Sequence, residues 1–430
     1  MKFIFADSLD YVDPGYDFIE DRSPSNREPY WDDMFPHELL GYAPYDGILV
    51  SRAIIGGNKV SGKYSESQAM RFRRVGAREF LRFREADYPG SFVFGDCGAF
   101  TYHEMEFPPY TAEEMIDFYG DGQFTHGCSI DHIIFDFIED AEEANIERDR
   151  LEENRRRFEI TSANAEEFLM QSKRLGNSFT PMGAVQGWSP ASMAESALRL
   201  KKMGYDYIAI GGMVPLKAPQ IKIALTAIRE AVGNDINMHV LGFAKADEID
   251  QFADLNITSF DTTSPLLRAF KDSNRNYYAL KPEGGIEYYS AIRIPQAIEN
   301  NRLKNLAKQG VYSQEDLLLR ERRALNSLRA FNCGEAEAHD ALEDIMAYTA
   351  PLVIGRDDGH SLGEIRKLDI LRERYSRTLE DRPWQSCDCE VCRDAGVEVI
   401  IFRASNRNKR RGIHNLQAYR KHIGKLGKHC

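Results

Sequence analysis

The first 265 residues of the chain alternate short apolar runs with amphipathic stretches. Each run has the length of a buried strand, and the stretches between runs have the periodicity of a helix. The clearest runs lie at 47–50, 91–94, 133–135, 182–185, 207–210, 239–241 and 257–260. A chain that keeps repeating strand and helix builds a parallel sheet, and this many repeats favours a closed (β/α)8 barrel, the TIM-barrel fold, over an open sheet.

Polar residues and glycines follow most of these runs. The residues at these positions are Asp96, Asp136, Gln186-Gly187, Gly211-Gly212 and Asp261. Because the carboxyl ends of barrel strands all open on one mouth, we expect these groups to converge there. A single aspartate after a strand is often only a helix cap. Three of them, interleaved with glycines that allow close backbone approach, favour a site for a flat polar ligand.

The strand rhythm stops near residue 265, and long charged helical patterns follow. We therefore predict three segments: the main part of the barrel at 1–265, a mostly helical insertion at 266–383, and a metal-binding region with a last helix at 384–430. The third segment contains the sequence Cys387-Asp388-Cys389-Glu390-Val391-Cys392, and His414 comes later in it. Three thiolates and an imidazole can close a tetrahedron around one zinc ion. Such a site has no open position, so we predict structural Zn²⁺; the alternative is surface cysteines beside an unrelated histidine.

The formal net charge of −12 argues against a protein that coats nucleic acid without specificity, since phosphate binding depends on Lys and Arg. A local basic run remains near the C-terminal end, at Arg407, Lys409, Arg410 and Arg411. Taken alone, this run is equally typical of a solvated helix face.

The chain has neither the start of a signal peptide nor an apolar stretch of membrane-spanning length. Its seven cysteines form no paired framework. We expect a cytoplasmic protein without a membrane partner.

These motifs resemble those of the tRNA-guanine transglycosylase family, whose members exchange guanine in a nucleic acid for a 7-deazaguanine. The resemblance extends from about residue 90 to 420 and leaves out the N-terminal region and the helical insertion. The similar segments are Asp96-Cys97-Gly98-Ala99-Phe100, Val185-Gln186-Gly187, Ala209-Ile210-Gly211-Gly212, Phe260-Asp261 with Pro265, the CxCxxC cluster, and His414-Asn415-Leu416. Six motifs in the family's order make chance agreement very improbable.

The resemblance implies roles for the aspartates. Asp261 would be the nucleophile, because an ionised carboxylate can form and later release a glycosyl ester. Asp96 would be the general acid and base at the heterocycle. Asp136 would accept the N1–H and the exocyclic amine of guanine. The opposite edge would contact Gln186 and the backbone of Gly211 and Gly212, and the other residues expected to line the base site are Phe100, Gly187 and Met213.

Two departures from the family pattern bear on the substrate. The segment Met213-Val214-Pro215-Leu216-Lys217 has no glutamate of the kind that bacterial tRNA enzymes use to recognise a cationic aminomethyl group. It is more similar to members that take the nitrile base 7-cyano-7-deazaguanine, preQ0. Leu267 stands where the family has an arginine that grips the tRNA. The chain therefore most resembles the DNA-modifying branch, with DNA and a 7-deazaguanine base as expected partners.

A guanine in duplex DNA must be flipped out before its C1′ can be attacked, at a cost of a few kcal/mol. The residues expected to contact phosphates are Arg268, Arg407, Lys409, Arg410 and Arg411. Two alternatives stay open at this point: a transglycosylase that acts on tRNA, and a non-catalytic subunit that only binds nucleic acid. The sequence also leaves open the target motif, the oligomeric state, and whether partner proteins open the duplex.

Overall fold

The computed structural model describes residues 1–57, 59–138, 147–243, 245–354 and 361–426. Contacts divide the chain into two compact units. The barrel unit comprises Met1–Leu9 and Tyr45–Ser264, and the second unit comprises Asp10–Pro44 and Pro265–Cys430. Residues 10–44 thus belong to the second unit, which also holds both the predicted helical insertion and the cysteine cluster. Among the described helices, none combines the length and the apolar composition needed to cross a bilayer.

Eight parallel strands form a closed barrel in the barrel unit. The strands are β1 (Lys2–Ala6), β2 (Gly47–Ser51), β3 (Phe92–Asp96), β4 (His126–Cys128), β5 (Thr180–Val185), β6 (Tyr207–Ile210), β7 (Asn237–Val240) and β8 (Ser259–Asp261). Each strand pairs with the next in sequence, and β1 closes the circle by pairing with β8, where Phe3 lies opposite Phe260. The prediction of a TIM barrel is confirmed.

Two strands differ from the sequence prediction. Strand β1 was not among the predicted runs, and the run at 133–135 is irregular chain that follows β4. Strand β4 has no apolar pattern because Gly127 faces the ring of Tyr119, where an added Cβ would lie 2.6 Å from a ring carbon. The isoleucines of the mispredicted run are nevertheless buried, and Ile134 packs with Phe158 and Trp188. A short apolar run has the same sequence pattern whether its residues are buried by a neighbouring helix or within a sheet.

Fourteen α-helices are seen in the described residues: α1 (Pro36–Leu40), α2 (Arg52–Ile55), α3 (Glu66–Phe80), α4 (Ala112–Asp121), α5 (Arg148–Ser172), α6 (Pro190–Met203), α7 (Ala218–Val232), α8 (Ser264–Lys271), α9 (Asn301–Lys308), α10 (Gln314–Cys333), α11 (Ala338–Val353), α12 (Leu362–Asp381), α13 (Glu390–Ala395) and α14 (Ser405–Leu426). The crossover helices of the barrel begin at sequence-encoded caps: the hydroxyls of Ser65, Thr111 and Ser189 accept from the backbone N–H three residues on. Between β7 and β8 the connection is a 3-10 segment at Ala246–Leu255.

Side chains fill the interior of the barrel. Its core includes Phe94, Met182 and Tyr207 from three of the strands. His126 stacks on Phe94 with ring centroids 4.3 Å apart, and burial lowers its pKa to about 4. The barrel is therefore a packed core and not a pore, as is usual for this fold, so a ligand site has to lie at its rim.

The second unit combines helices α9–α14 with small sheets. An antiparallel hairpin pairs β9 (Tyr277–Leu280) with β10 (Ile286–Tyr289), and two-residue strands β11 (Ile292–Arg293) and β12 (Ile401–Phe402) pair in parallel. Its apolar core is formed by residues of this unit. Representative members of this core are Leu317, Leu328, Phe331, Ile345, Tyr348, Trp384, Val399 and Ile413.

The basic run of α14 lies inside the second unit. Arg407 and Arg411 are fully buried and Arg410 is 2% exposed. Arg407 donates from Nε to Glu398 at 2.7 Å and forms an ion pair with Asp21. The prediction that these arginines bind DNA phosphates is therefore wrong for Arg407, Arg410 and Arg411, because a buried guanidinium that already has internal partners offers no surface to a polyanion.

The other members of the run bind backbone carbonyls. Arg410 donates to the carbonyls of Asp13 and Pro14 at 3.1 and 3.2 Å, and the partly exposed Lys409 donates to that of Tyr11 at 3.0 Å. Burial lowers the pKa of Arg411 to about 9, and its guanidinium donates to carbonyls that include that of Ala269 at 2.7 Å. The run thus fastens residues 10–44 to the C-terminal helix.

Candidate active site

Asp96 is the last residue of β3, at the carboxyl end of the strand. Burial raises the pKa of Asp96 to about 7, and the nearby carboxylates of Asp131 and Asp261 add to the rise. The N–H of Gly98 and the hydroxyl of Ser51 donate to the carboxylate and act in the opposite direction. A carboxyl with a pKa near neutrality can both give and take a proton at physiological pH.

Asp131 lies in the loop that follows β4, and only 4% of it is exposed. Its two carboxylate oxygens accept from Gln186 Nε2 at 2.5 Å and from Cys97 Sγ at 3.0 Å. Burial raises its pKa, as it does that of Asp96. Asp131 is not among the site residues predicted from the sequence, because β4 has no apolar run to mark its end. An aspartate three residues after a short strand of His, Gly and Cys is the only signal there.

Gln186 joins β5 to this carboxylate. Its amide donates to Asp131, and its Oε1 accepts from the N–H of Ile134 at 3.1 Å. Gly211, after β6, leaves room for this amide, since an added Cβ would lie 2.2 Å from Gln186 Nε2. The N–H of Gly211 donates to the Val185 carbonyl at 3.0 Å and so belongs to the sheet. It is not available to a base edge, contrary to the expectation for that N–H.

The glycines around Gln186 make close packing possible. Gly187 lies against α6, where an added Cβ would come within 2.7 Å of Met193. Gly212 has φ +76°, a left-handed conformation that favours glycine, and an added Cβ would be 3.1 Å from the carbonyl of Ile134. Met213 follows it and is 1% exposed.

Asp261 ends β8 and is 6% exposed. Its Oδ1 accepts from the N–H of Gly242 at 2.9 Å and lies 3.2 Å from His239 Nε2. The other nitrogen of His239 is 2.7 Å from the hydroxyl of Ser259, which in turn lies 2.6 Å from that of Tyr207. The Asp261 carboxylate is thus oriented by a backbone donor and by a buried chain of polar side chains.

Asp136 is separate from this group, contrary to prediction. It accepts from Arg150 and Asn154 of α5, with Nε of Arg150 at 2.7 Å and the amide of Asn154 at 2.8 Å. The hydrogen bond from Arg150 lowers its pKa, the opposite of the shift at Asp131. Asp136 follows irregular chain and not a strand end, so the barrel does not bring it to the other carboxylates.

Two aromatic rings are exposed on this unit. Phe100 is 49% exposed and Phe135 is 39% exposed, and their centroids lie 5.5 Å apart. His103 meets the Phe135 ring edge-on at 5.2 Å. Exposed flat rings beside a polar site can stack on a heterocycle.

The four predicted metal ligands converge in the second unit. The ligand atoms of Cys387, Cys389, Cys392 and His414 all lie within 4.8 Å of one another. His414 Nδ1 is 3.5, 3.4 and 3.3 Å from the three sulfurs in that order. Zinc bonds of about 2.3 Å to sulfur and about 2.05 Å to nitrogen give a tetrahedral S···N edge of about 3.5 Å. The cluster therefore fits one such ion.

The imidazole of His414 is fixed by its surroundings. Its Nε2 donates to the Tyr278 carbonyl at 2.7 Å, which leaves Nδ1 with the lone pair that a metal requires. Its ring stacks on Tyr277 at 4.1 Å. Asn415 accepts from the N–H of Tyr278 at 2.9 Å and donates to the carbonyl of Pro265, which ties α14 to the hairpin. The cluster can hold a metal, and its four protein ligands leave no position for a substrate.

Comparison with known proteins identifies the chain. No protein-family model matches it. A DNA-guanine transglycosylase from Salmonella montevideo is 39% identical over 418 residues, which span 97% of this chain and 95% of that protein. The chain belongs to the guanine transglycosylase family, in its DNA-modifying branch. As a member of this family it is a glycosyl-transferring enzyme.

Membership in the transglycosylase family also bears on the position of the carboxylates in the barrel. Asp131 and Asp261 both add to the raised pKa of Asp96 at the carboxyl ends of the strands, where TIM-barrel enzymes carry their active sites. Of the carboxylates predicted from the sequence, two are in this group and Asp136 is not.

The predicted phosphate ligand Arg268 lies in the second unit, 5.8 Å from the ring centre of Tyr288.

Proposed function

We propose that this enzyme exchanges guanine in DNA for a 7-deazaguanine base through a covalent intermediate on Asp261. The observation that supports this most directly is the pair of carboxylates, Asp96 and Asp261, that interact at the barrel mouth in different environments. The similar protein from Salmonella montevideo is named a DNA-guanine transglycosylase, which favours DNA as the polymer over tRNA. Retention of both carboxylates argues against a non-catalytic subunit.

The two carboxylates suit different roles. Asp261 accepts from the N–H of Gly242, a donor that stabilises a carboxylate anion. It attacks C1′, the C1′–N9 bond to guanine breaks, and the Asp96 carboxyl protonates the departing base. Asp96 then takes the N9 proton of the incoming 7-deazaguanine, whose N9 forms the new bond to C1′ and releases Asp261. Protons and bonds balance over the exchange, and its two halves use the same groups in reverse order.

Asp131 replaces Asp136 in the proposed recognition of the base. A carboxylate accepts two adjacent donors side by side, as the N1–H and the amine of guanine require. Asp131 is held by Gln186 and Cys97 beside the catalytic pair, whereas Asp136 is engaged by Arg150. Two N–H donors from a bound base would favour the ionised form of Asp131. Of the two neighbouring rings Phe100 and Phe135, Phe100 is the more exposed and is the proposed stacking partner of the base.

The incoming base is proposed to be the nitrile, 7-cyano-7-deazaguanine. The segment after the glycine pair contains no carboxylate that could pair with a cationic aminomethyl group, and Met213 and Leu216 in it are buried. An uncharged substituent does not need such a partner. Binding titrations that show a clear preference for the aminomethyl base would reject this part of the proposal.

Zinc is the metal proposed for the Cys387, Cys389, Cys392 and His414 cluster. The separations of the ligand atoms and the single free nitrogen of His414 match a closed tetrahedral site. Bound there, the ion would hold α13, α14 and the hairpin together. The reaction would use the carboxylates of the barrel unit alone.

The experiment that tests the proposal measures incorporation of labelled 7-cyano-7-deazaguanine into plasmid DNA and into tRNA side by side. We expect incorporation into DNA, its loss in Asp261→Asn, and a denaturant-stable adduct between DNA and the wild-type chain only. Incorporation into tRNA alone would reject DNA as the polymer. Full activity of Asp261→Asn would reject the covalent step.

A matched pair of variants tests the reassigned base contact. Asp131→Asn turns one carboxylate oxygen into a donor and should lower incorporation at least tenfold, since a buried donor would face the donors of the base. Asp136→Asn makes the same substitution at a position outside the site, and this variant should retain most of the activity. The reverse result would restore Asp136 to the role that the sequence first suggested.

A further inference from the structure

A basic cavity in the second unit lies between the β9–β10 hairpin and the C-terminal half of α12. Its volume is about 570 Å³. Four cations line it, Arg275, Lys281, Arg374 and Arg377, against one carboxylate, Glu287. This excess of positive charge stands out in a chain whose net charge is −12.

Three of these cations have no carboxylate partner among the residues that the structure describes. Arg275 lies over the Tyr288 ring at 5.3 Å, and Arg374 donates to the neutral side-chain oxygen of Asn274. Lys281 makes no ion pair within the described ranges. Arg377 alone is neutralised, by Glu287 and by Asp381 at 3.6 Å. Unpaired cations on a concave surface attract anions, and the arginines of α14 show that this chain pairs cations where structure requires it.

A second cavity of about 440 Å³ extends the positively charged surface along α12. It shares Arg374 with the first cavity and adds Lys271, Arg293 and Lys367 against one carboxylate, Asp272. Seven cations thus face two carboxylates over two adjoining cavities, and we call this surface the basic band. A single phosphate would need only one of the cavities. A surface that continues from one to the other fits a polymer of regularly spaced phosphates.

Aromatic rings lie among these cations. Tyr288 carries Arg275 on its ring and has the Tyr278 ring edge-on at 5.2 Å, and Arg377 lies 4.6 Å from the centre of the Tyr289 ring. Basic grooves with interleaved aromatic rings are typical of proteins that follow a nucleic-acid backbone without reading its sequence.

We propose that the basic band binds the sugar-phosphate backbone of the DNA substrate and so replaces the α14 arginines as the phosphate-binding surface. This inference rests on the proposed function, in which DNA is the polymer. Phosphate contacts of this kind raise the affinity for all sequences alike and make it depend on salt. Base exchange itself would remain in the barrel unit.

The test compares two triple variants of the full chain by fluorescence anisotropy with labelled duplex DNA at several salt concentrations. The first, Arg275→Gln with Lys281→Gln and Arg374→Gln, removes the three unpaired cations. The control, Lys304→Gln with Lys308→Gln and Arg322→Gln, removes as many positive charges from α9 and α10, outside both cavities. Each lost phosphate contact should reduce the slope of log K against log salt by about 0.9.

We expect the band variant to lose roughly two to three units of slope and to bind DNA at least tenfold more weakly at low salt, with an equal rise in KM for DNA. The control should bind as wild type does. Equal slopes for the two variants would overturn the proposal. The single variant Lys281→Gln, at a side chain without a described partner, should still lose about 0.9 of slope if the triple variant folds poorly.

Failure of this inference and failure of the proposed function give different results. Wild-type incorporation into DNA together with unchanged binding by the band variant would remove the band and leave the function standing. Binding of tRNA that depends on the band, without binding of DNA, would overturn DNA as the partner of this surface.

Discussion

Buried charges are arranged in opposite ways in the two units. At the barrel mouth burial raises the pKa of Asp96, and the like-charged carboxylates of Asp131 and Asp261 add to the rise. In the second unit Arg403 and Arg407 lie among carboxylates of opposite sign. Burial alone would raise the pKa of Asp21, but these two arginines lower it.

The difference distinguishes buried charges that indicate a function from buried charges that stabilise the structure. Buried carboxylates close to one another oppose folding, so their persistence indicates a function that needs them. A buried arginine with a carboxylate and several carbonyls closes a gap in the structure and has nothing left for a ligand. Substitutions in the two units should therefore differ in how strongly they change the stability of the fold.

The largest effect is expected at the metal cluster. Cys389→Ser removes one of the four ligands of the proposed zinc site and should destabilise the second unit by more than about 5 kcal/mol, because a structural zinc site contributes folding free energy directly. Metal analysis and thermal unfolding of the purified chain measure this. Cys333→Ser, at an exposed cysteine of α10, is the control and should keep both metal and stability. A full equivalent of zinc in Cys389→Ser would contradict the ligand set.

An intermediate effect is expected at the buried ion pairs. Arg407→Met leaves Glu398 and Asp21 with less compensation and should cost about 3–5 kcal/mol. Arg372→Met breaks an exposed pair with Glu343 and should cost about 0–1 kcal/mol. Chemical denaturation followed by circular dichroism compares them. A small effect at Arg407 would mean that its charge is solvated, and the α14 run would again be a candidate DNA surface.

The barrel could be predicted from the sequence because its signal is repeated. Six of the seven predicted runs coincide with strands, and Asp96 and Asp261 are the last residues of two of them. The exception was decisive: β4 has three residues with no apolar pattern, so the nearest apolar run, at 133–135, took its place. That error placed Asp136 and not Asp131 among the carboxylates expected at the strand ends. A short strand packed under large rings carries no periodic signal of its own.

Whether a basic residue is buried or exposed could not be predicted either, and the reason is different. Arg410 in α14 and Arg374 in α12 occupy similar charged helical sequences. One is buried because residues 10–44 cover α14, a contact between segments almost 400 positions apart. The other faces an open cavity. Long-range packing decides whether a cation is structural or available, and helical periodicity does not contain that information.

The smallest effect on stability is expected at Asp96, and its sign is opposite to that at Arg407. Because the folded pKa of about 7 lies above the unfolded value, ionisation of Asp96 removes stability as pH rises from about 4 to 7. Asp96→Asn should therefore match wild type at pH 4 and exceed its unfolding free energy by about 1–2 kcal/mol at pH 8, after allowance for solvent screening. Base exchange should nevertheless fall by a factor of about 10²–10⁴.

Asp136→Asn is the control for Asp96→Asn, because Arg150 shifts the pKa of Asp136 downward. Asp136 contributes stability above its unfolded pKa, and that contribution is lost as pH falls through the folded value. Its variant should therefore be the less stable one at pH 8, and the difference should shrink only below about pH 4. Urea unfolding of both variants at pH 4 and pH 8 gives the two signs in one experiment. If Asp96→Asn were also destabilised at pH 8, the carboxylates of the barrel mouth would not repel one another, and the contrast between the two units would fail.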